Sequence, residues 1–316
     1  MEITYVHWVL FLLFLITMLT IDLGVFNKKS HTIGYKEALL FSAVWITLAL
    51  IFNFGVFRYM GNQKGMEFLT GYLLEYSLSV DNIFIFVLLF GFFNVPKRYH
   101  HKVLFWGIVG AIIMRAVLIG LGIALVSQFH WILYVFGIFL IITSIKMFFS
   151  KDDVVEPDKN PVVKLFRKYF PVKDSYVKDK FFVIENAKKF ATPLFIVLII
   201  IETTDLVFAF DSIPAILSIT QDPFIVFTSN AFAILGLRSL YFALANLMDK
   251  FKYLKFGLAV VLFFIGIKML IADIFHISIT LSLIVVASLI FISVIISLIN
   301  SKITNTRNGQ NKRKNP

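Results

Sequence analysis

No cysteine occurs among the 316 residues, which excludes disulfides, thiolate metal sites, iron–sulfur clusters and cysteine nucleophiles together. All six histidines fall near the ends of apolar runs or between them, so none is expected mid-span. Acidic residues are sparse, 19 against 30 Lys and Arg. A net charge of +11 would suit a polyanionic partner, but the basic residues sit almost wholly in the gaps between apolar runs. That placement argues against nucleic acid. No nucleophile–base pair and no phosphate-binding glycine loop is present; Gly120-Leu-Gly122 lacks the context for one, so no enzyme and no cofactor are expected.

What fills the chain is apolar surface. Hydrophobic residues make up 59%, with 37 Phe and a mean hydropathy of +0.86. Soluble domains hold roughly 45–50%. A membrane span takes roughly 20 apolar residues, and such runs occur at 5–26, 36–57, 67–93, 103–127, 130–149, 191–219, 224–248, 255–274 and 277–300. The expected fold is therefore an all-α polytopic membrane protein of about nine helices, with the lipid bilayer as its permanent partner. The first run contains Asp22 and lacks a basic flank or cleavage site, and reads as a retained helix.

Loop charge sets the orientation. Alternate loops carry 24 Lys and Arg against 2, Arg58 and Lys64, on the other side. By the positive-inside rule the N-terminus is expected outside and the C-terminus in the cytoplasm. A transmembrane domain covers 1–303, and the polar tail 304–316 is expected to be disordered. The loop 150–190 reads as a charged cytoplasmic linker, or, over Lys180–Phe190, as a small hairpin against the membrane face.

Two segments repeat. Asp81–Phe86 resembles Asp205–Phe210 at an offset of 124, Arg115 matches Arg238 at 123, and Ile145–Met147 matches Ile267–Met269 at 122. The units are 67–149 and 191–274, three helices each. An odd number of helices inverts the second unit, which is the architecture of many secondary transporters.

Six acids lie inside these runs: Asp22, Glu75, Asp81, Glu202, Asp205 and Asp211. A charge at the bilayer centre costs at least ~2.5–3.5 kcal/mol, so such groups face an interior and serve a function. Glu202 and Asp205 share a helical face, and Glu75, Ser79 and Asn82 form an i, i+4, i+7 stripe. Asp81 and Asp211 lie off those faces in regular helices. Pro214 and the polar run Ser77–Asn82 are expected to make the backbone irregular and gather both ends of each motif. An all-oxygen set suits Mn²⁺, Mg²⁺ or Ca²⁺. Asn82, Ser79 and Ser212 are expected to support the ligands. Asp22, Arg115, Arg238, Lys146 and Lys268 are expected to gate the site or balance its charge. Nothing in the sequence sets an oligomeric state.

Three strings, Gly71–Asn82, Ile201–Ala215 and Asp222–Arg238, resemble the TerC family, in particular its Alx-like branch. The similarity covers roughly residues 5–300. Thr203-Thr204, between Glu202 and Asp205, departs from the Leu-Ser form of the family, a change expected to leave ligation unaffected. The resemblance implies a bacterial inner-membrane manganese exporter, with links to tellurium resistance and alkaline-pH response. It implies an ion held among Glu75, Asp81, Glu202, Asp205 and Asp211. Members of the wider family have also been tied to membrane-protein insertion or secretion, so a biogenesis or scaffold role with structural acids is the alternative.

Overall fold

The computed structural model describes residues 3–24, 34–129, 131–149, 161–173, 175–185, 188–245, 254–275 and 277–314; the side chains of 22–24, 80, 81, 84, 88, 254, 255, 298 and 301–314 lie outside that description. Among the described residues, ten helices and one hairpin follow in chain order: α1 (Tyr5–Gly24), α2 (Tyr35–Met60), α3 (Asn62–Phe92), α4 (Lys97–Gln128), α5 (Ile132–Phe149), α6 (Pro161–Tyr169), β1 (Phe182–Glu185), β2 (Lys188–Ala191), α7 (Pro193–Leu217), α8 (Pro223–Leu244), α9 (Leu254–Leu270) and α10 (Ile279–Lys314). Apart from α6, each helix overlaps one of the expected runs. Among the described residues six are long and apolar enough to cross a membrane, namely α2, α4, α5, α7, α8 and Ile279–Ser297 of α10, while Tyr5–Ile21 and Phe256–Leu270 are shorter apolar helices. Besides α6, that leaves α3, which is 31 residues long and carries Lys64, Glu67, Glu75 and Asp81.

The surface is inverted relative to a soluble protein. Large apolar side chains such as Ile51, Phe54, Val117, Ile142, Val207 and Phe291 point outward, whereas Glu67, Glu75, Asn82, Arg115 and Asp205 are buried. With lipid as the solvent this is the low-energy arrangement, because unpaired polar groups are then the costly ones.

Helix α8 is the axis of the bundle, buried along nearly its whole length against α2, α3 and α4. Its start is written in Asp222-Pro223. The Asp222 carboxylate accepts from the Phe224 and Ile225 amides at 3.0 and 3.3 Å, and proline fills the first turn, where no amide donor is needed. A cluster of rings from Phe11, Phe52, Phe68, Phe224 and Phe232 seals this end.

Around α8, α3 also packs on α2, α7 and α10, α4 on α7, and α9 on α5 and α10. Between α5 and α9 the backbones meet at glycine. A Cβ added to Gly266 would sit 2.8 Å from the Gly137 carbonyl oxygen, and one added to Gly137 would sit 3.0 Å from that of Gly266. Small residues permit such approach where no hydrophobic force drives helices together.

Three boundaries differ from expectation. Helix α4 begins at Lys97, so His100, His101 and Lys102 lie on a helix rather than in a loop. Helix α10 continues to Lys314 through most of the tail expected to be disordered, since extending an existing helix needs no new nucleus. The segment after 160 is more than a linker. It forms the amphipathic α6 and an antiparallel hairpin pairing Phe182 with Ala191 and Val183 with Phe190. Residues 150–160 lie outside the described set.

This cap is tied to the helix ends. The Tyr176 hydroxyl donates to the Phe93 carbonyl at 2.7 Å, and Lys102 pairs with Asp179 at 3.0 Å. Burial pushes the Tyr176 phenol up to about 12, and the Lys102 ammonium holds the Asp179 carboxyl below its usual range. The tyrosine contact is therefore intact below pH ~10 and weakens as pH rises from there towards 12. Replacing Tyr176 by Phe removes one hydrogen bond worth about 1 kcal/mol, and limited proteolysis should then cut the 161–192 region faster. Gly266→Leu, by forcing α5 and α9 apart, should lower the melting temperature in detergent far more than Gly55→Leu, where an added Cβ meets nothing within 4 Å.

Candidate functional site

The expected stripe on α3 faces inward. Glu75, Ser79 and Asn82 are all buried, and α7 presents Asp205 to them. Between the two acids lies Arg115 of α4, only 2% exposed. Its Nε donates to Asp205 Oδ2 at 3.1 Å and its Nη2 to Asp205 Oδ1 at 2.8 Å, a two-pronged pairing. Its Nη1 donates to Glu75 Oε1 and lies 3.5 Å from both Ser212 Oγ and Asn230 Oδ1. Asn82 Nδ2 donates to Asp205 Oδ1 at 3.1 Å. One guanidinium thus links α3, α4 and α7, with α8 contributing Asn230.

Three polar atoms of this cluster, Ser79 Oγ, Asn82 Oδ1 and Asn230 Nδ2, are fully buried and have no hydrogen-bond partner among the described residues. Unpartnered polar atoms at such depth are unusual in a native interior. Beside Asp205, a void of about 10 Å³ is bounded by Phe86, Gly107, Ile201 and Arg238. That is roughly the space of one water.

The other expected ligands go elsewhere. Glu202, one turn before Asp205, lies against α4 at Gly110, where an added Cβ would run into its carboxylate. Asp211 faces α5, hydrogen-bonded by Thr143 and within electrostatic reach of the exposed Lys146. The side chains of Asp81 and Asp22 lie outside the described set. Among the described residues, no three His, Cys, Asp or Glu side chains are close enough together to hold a metal ion. The reason is local. Both α3 and α7 run as continuous helices through the polar run and through Pro214, so the expected irregular backbone that would swing Asp211 inward is not seen.

Several partners of the expected residues carried no signal of their own in the sequence. Arg238 Nη1 donates to His101 Nε2 at 2.7 Å, and the Tyr241 hydroxyl meets His100 Nδ1 at 2.9 Å, with His100 stacked on Phe90. At the opposite end, where the N-terminal residues lie, a cavity of about 990 Å³ is lined by Lys64, Glu67, Thr220, Asp222 and Lys268. Glu67 is buried and accepts from Thr220 Oγ1 at 2.5 Å and Lys64 Nζ at 2.8 Å, and Lys64 also reaches Asp222 at 3.1 Å. Glu67 stands at the first residue of its apolar run, which disguised it as a boundary charge.

Comparison with known proteins agrees on the kind of molecule. The profile described as "Integral membrane protein TerC family" matches residues 60–308. An uncharacterized membrane protein of Myxococcus xanthus is 49% identical over 295 residues, 93% of this chain and 92% of its own. A candidate membrane-bound redox modulator, Alx, of Escherichia coli strain K12 is 46% identical over 289 residues, 89% of this chain and 90% of its own. The protein of that description from Photorhabdus laumondii is 44% identical over 310 residues, 95% and 97% of the two chains. No solved structure matches.

The two kinds of acid should behave differently when neutralised. Asp205→Asn leaves a buried guanidinium short of its main partner, a loss of about 3–5 kcal/mol. Glu202→Gln, away from Arg115, should change stability much less. Thermal unfolding of the two variants in detergent checks this, and equal melting would contradict the assignment of Asp205 as the anchor of Arg115.

Proposed function

Because the chain belongs to the TerC family of integral membrane proteins, we propose that it exports divalent cations, Mn²⁺ preferred, through the intramembrane carboxylates. The observation that carries this reading is the convergence of Glu75 and Asp205, from two different three-helix units, on one buried point beside the oxygens of Asn82, Ser79 and Ser212. Two carboxylates balance one dication, and an oxygen-only donor set fits a hard cation. Protons exchange for the ion at the same carboxylates. Glu202 and Asp211, each on a different side of α7, serve the approach to that point, together with Asp81.

In this reading the protein sits in the bacterial inner membrane with its N-terminus outside. The cavity at Lys64, Glu67 and Lys268 is then the outward mouth, and the 161–192 cap lies on the cytoplasmic side. The redox role in the name of the Alx relatives enters here only indirectly. A chain without cysteine performs no thiol–disulfide exchange, so a redox effect follows from the metal it moves.

A second reading, a membrane biogenesis or scaffold factor, draws on the Arg115 pairing itself, since paired acids are what a purely structural role requires. Metal content separates the two. Cells carrying Glu75→Gln or Asp205→Asn at normal membrane abundance should accumulate Mn²⁺ under manganese load, as cells lacking the protein do. Normal clearance by both variants would rule out the ion-site reading. Reagent access supports or refutes the orientation, because the cysteine-free chain accepts single reporters. A cysteine at Gln221 should react from outside, and one at Lys178 only after the membrane is opened.

A further inference from the structure

We infer that Arg115 is a built-in counter-cation, which competes with the transported dication for Glu75 and Asp205 and returns to them when the ion leaves. This deepens the export reading above and rests on it.

The starting point is how the lone pairs are used. Arg115 engages both oxygens of Asp205 and Oε1 of Glu75, and these are the oxygens a dication would need. The two occupants exclude each other by charge as well. Two carboxylates with a dication sum to zero, and with the guanidinium alone to minus one. With dication and guanidinium together, the buried cluster would carry a net positive charge and two cations in contact. Little space exists for sharing, since the void beside Asp205 has room for about one water.

The surroundings are arranged for the guanidinium to move. Ser212 Oγ and Asn230 Oδ1 stand 3.5 Å from Nη1, at the outer limit of a hydrogen bond, and are ready acceptors for a guanidinium that shifts towards α8. The Arg side chain has four torsions, so it can withdraw without movement of α4. Once it does, the α3 face offers Glu75 together with Ser79 Oγ and Asn82 Oδ1, two buried oxygens without a partner among the described residues. Asp205 completes the set from α7.

The exchange also answers a requirement of the transport cycle. A carrier that has released its ion must return with its site buried, and two bare carboxylates in the hydrocarbon core are strongly disfavoured. A tethered cation supplies the missing charge on the return. It also weakens ion binding, because every ion bound must displace it, and this keeps the ion from being trapped.

Arg115 is thus a positioning residue with a signature opposite to that of a ligand. Mn²⁺ binding is measured by calorimetry on the purified full-length protein, alongside Mn²⁺ clearance in cells. Asp205→Asn should weaken binding. Arg115→Gln should tighten binding roughly tenfold or more and yet abolish clearance, since the ion is held and the return step loses its counter-charge. A merely structural arginine would give weaker binding on removal. Should Arg115→Gln fail to fold, Arg115→Lys keeps the charge but its single ammonium cannot bridge both acids as the fork does, so binding should tighten by a smaller factor with clearance partly retained. Unchanged or weaker binding in the Arg115 variants, with Asp205→Asn still weakened, overturns the counter-cation and leaves the export reading standing. If Asp205→Asn binds Mn²⁺ as the unaltered protein does, the export reading fails and the inference falls with it.

Discussion

The guanidinium of Arg115, held between Glu75 and Asp205, is the interaction on which the central packing turns. An arginine in the middle of a hydrocarbon-facing bundle is tolerated only if its donors are satisfied and its charge is met. Meeting it with two acids on two helices fixes the spacing of α3, α4 and α7 to within a hydrogen-bond length. That spacing in turn demands small residues on the facing surfaces. Gly71 lies against Ile216 and Ser229, Gly107 against Ile201 and Gly110 against Glu202, so side chains at those points would push the acids off the guanidinium. The buried α8 then acts as a wall, with Asn230 reaching the cluster while the Thr228 and Ser229 hydroxyls bond back to carbonyls of their own helix.

Much of the architecture was legible because the bilayer imposes a length. Runs of about 20 apolar residues separated by charge define helices without any knowledge of packing. The errors fell where that rule is silent. Lys97, Arg98 and His100 to Lys102 looked like loop because they are polar, yet a helix emerging from the membrane does not end at the interface, and α4 begins at Lys97. The cap was readable in part, since Phe182, Val183 and Ile184 are strand-forming residues in a segment too short to span. Whether it packs on the helix ends was not, because that depends on Tyr176 meeting Phe93, two residues 83 positions apart.

The site was legible as a set of residues, but its partition was not. Which acids converge depends on helix phase. Seven residues from Glu75 to Asn82 amount to nearly two whole turns, so the two share a face, whereas the six from Asp205 to Asp211 turn the side chain by about 240° at 3.6 residues per turn. Only a distorted helix would undo that rotation, and α7 stays regular because Pro214 sits close to its end at Leu217, where few backbone bonds remain to be lost. Asp211 therefore looks to α5 and its Thr143. The pairing of Arg115 with both acids was equally hidden. The sequence match pairs it with Arg238, whose Nη1 donates to His101 Nε2, a contact equally invisible in the sequence.

The buried charges also mark the two ends of the bundle. Arg115 lies on the carboxylates, and Arg238 donates to His101 Nε2 towards the far end of α8, next to the void beside Asp205. Towards the 161–192 cap lie Arg238 and the histidine pair, and towards the large cavity lie Glu67 and Asp222 with Lys64 between them. At the cavity Lys64 bridges Glu67 to Asp222 and Thr220 donates to the same Glu67, so a carboxylate that burial alone would disfavour is held near the start of α3 and tied to the first turn of α8.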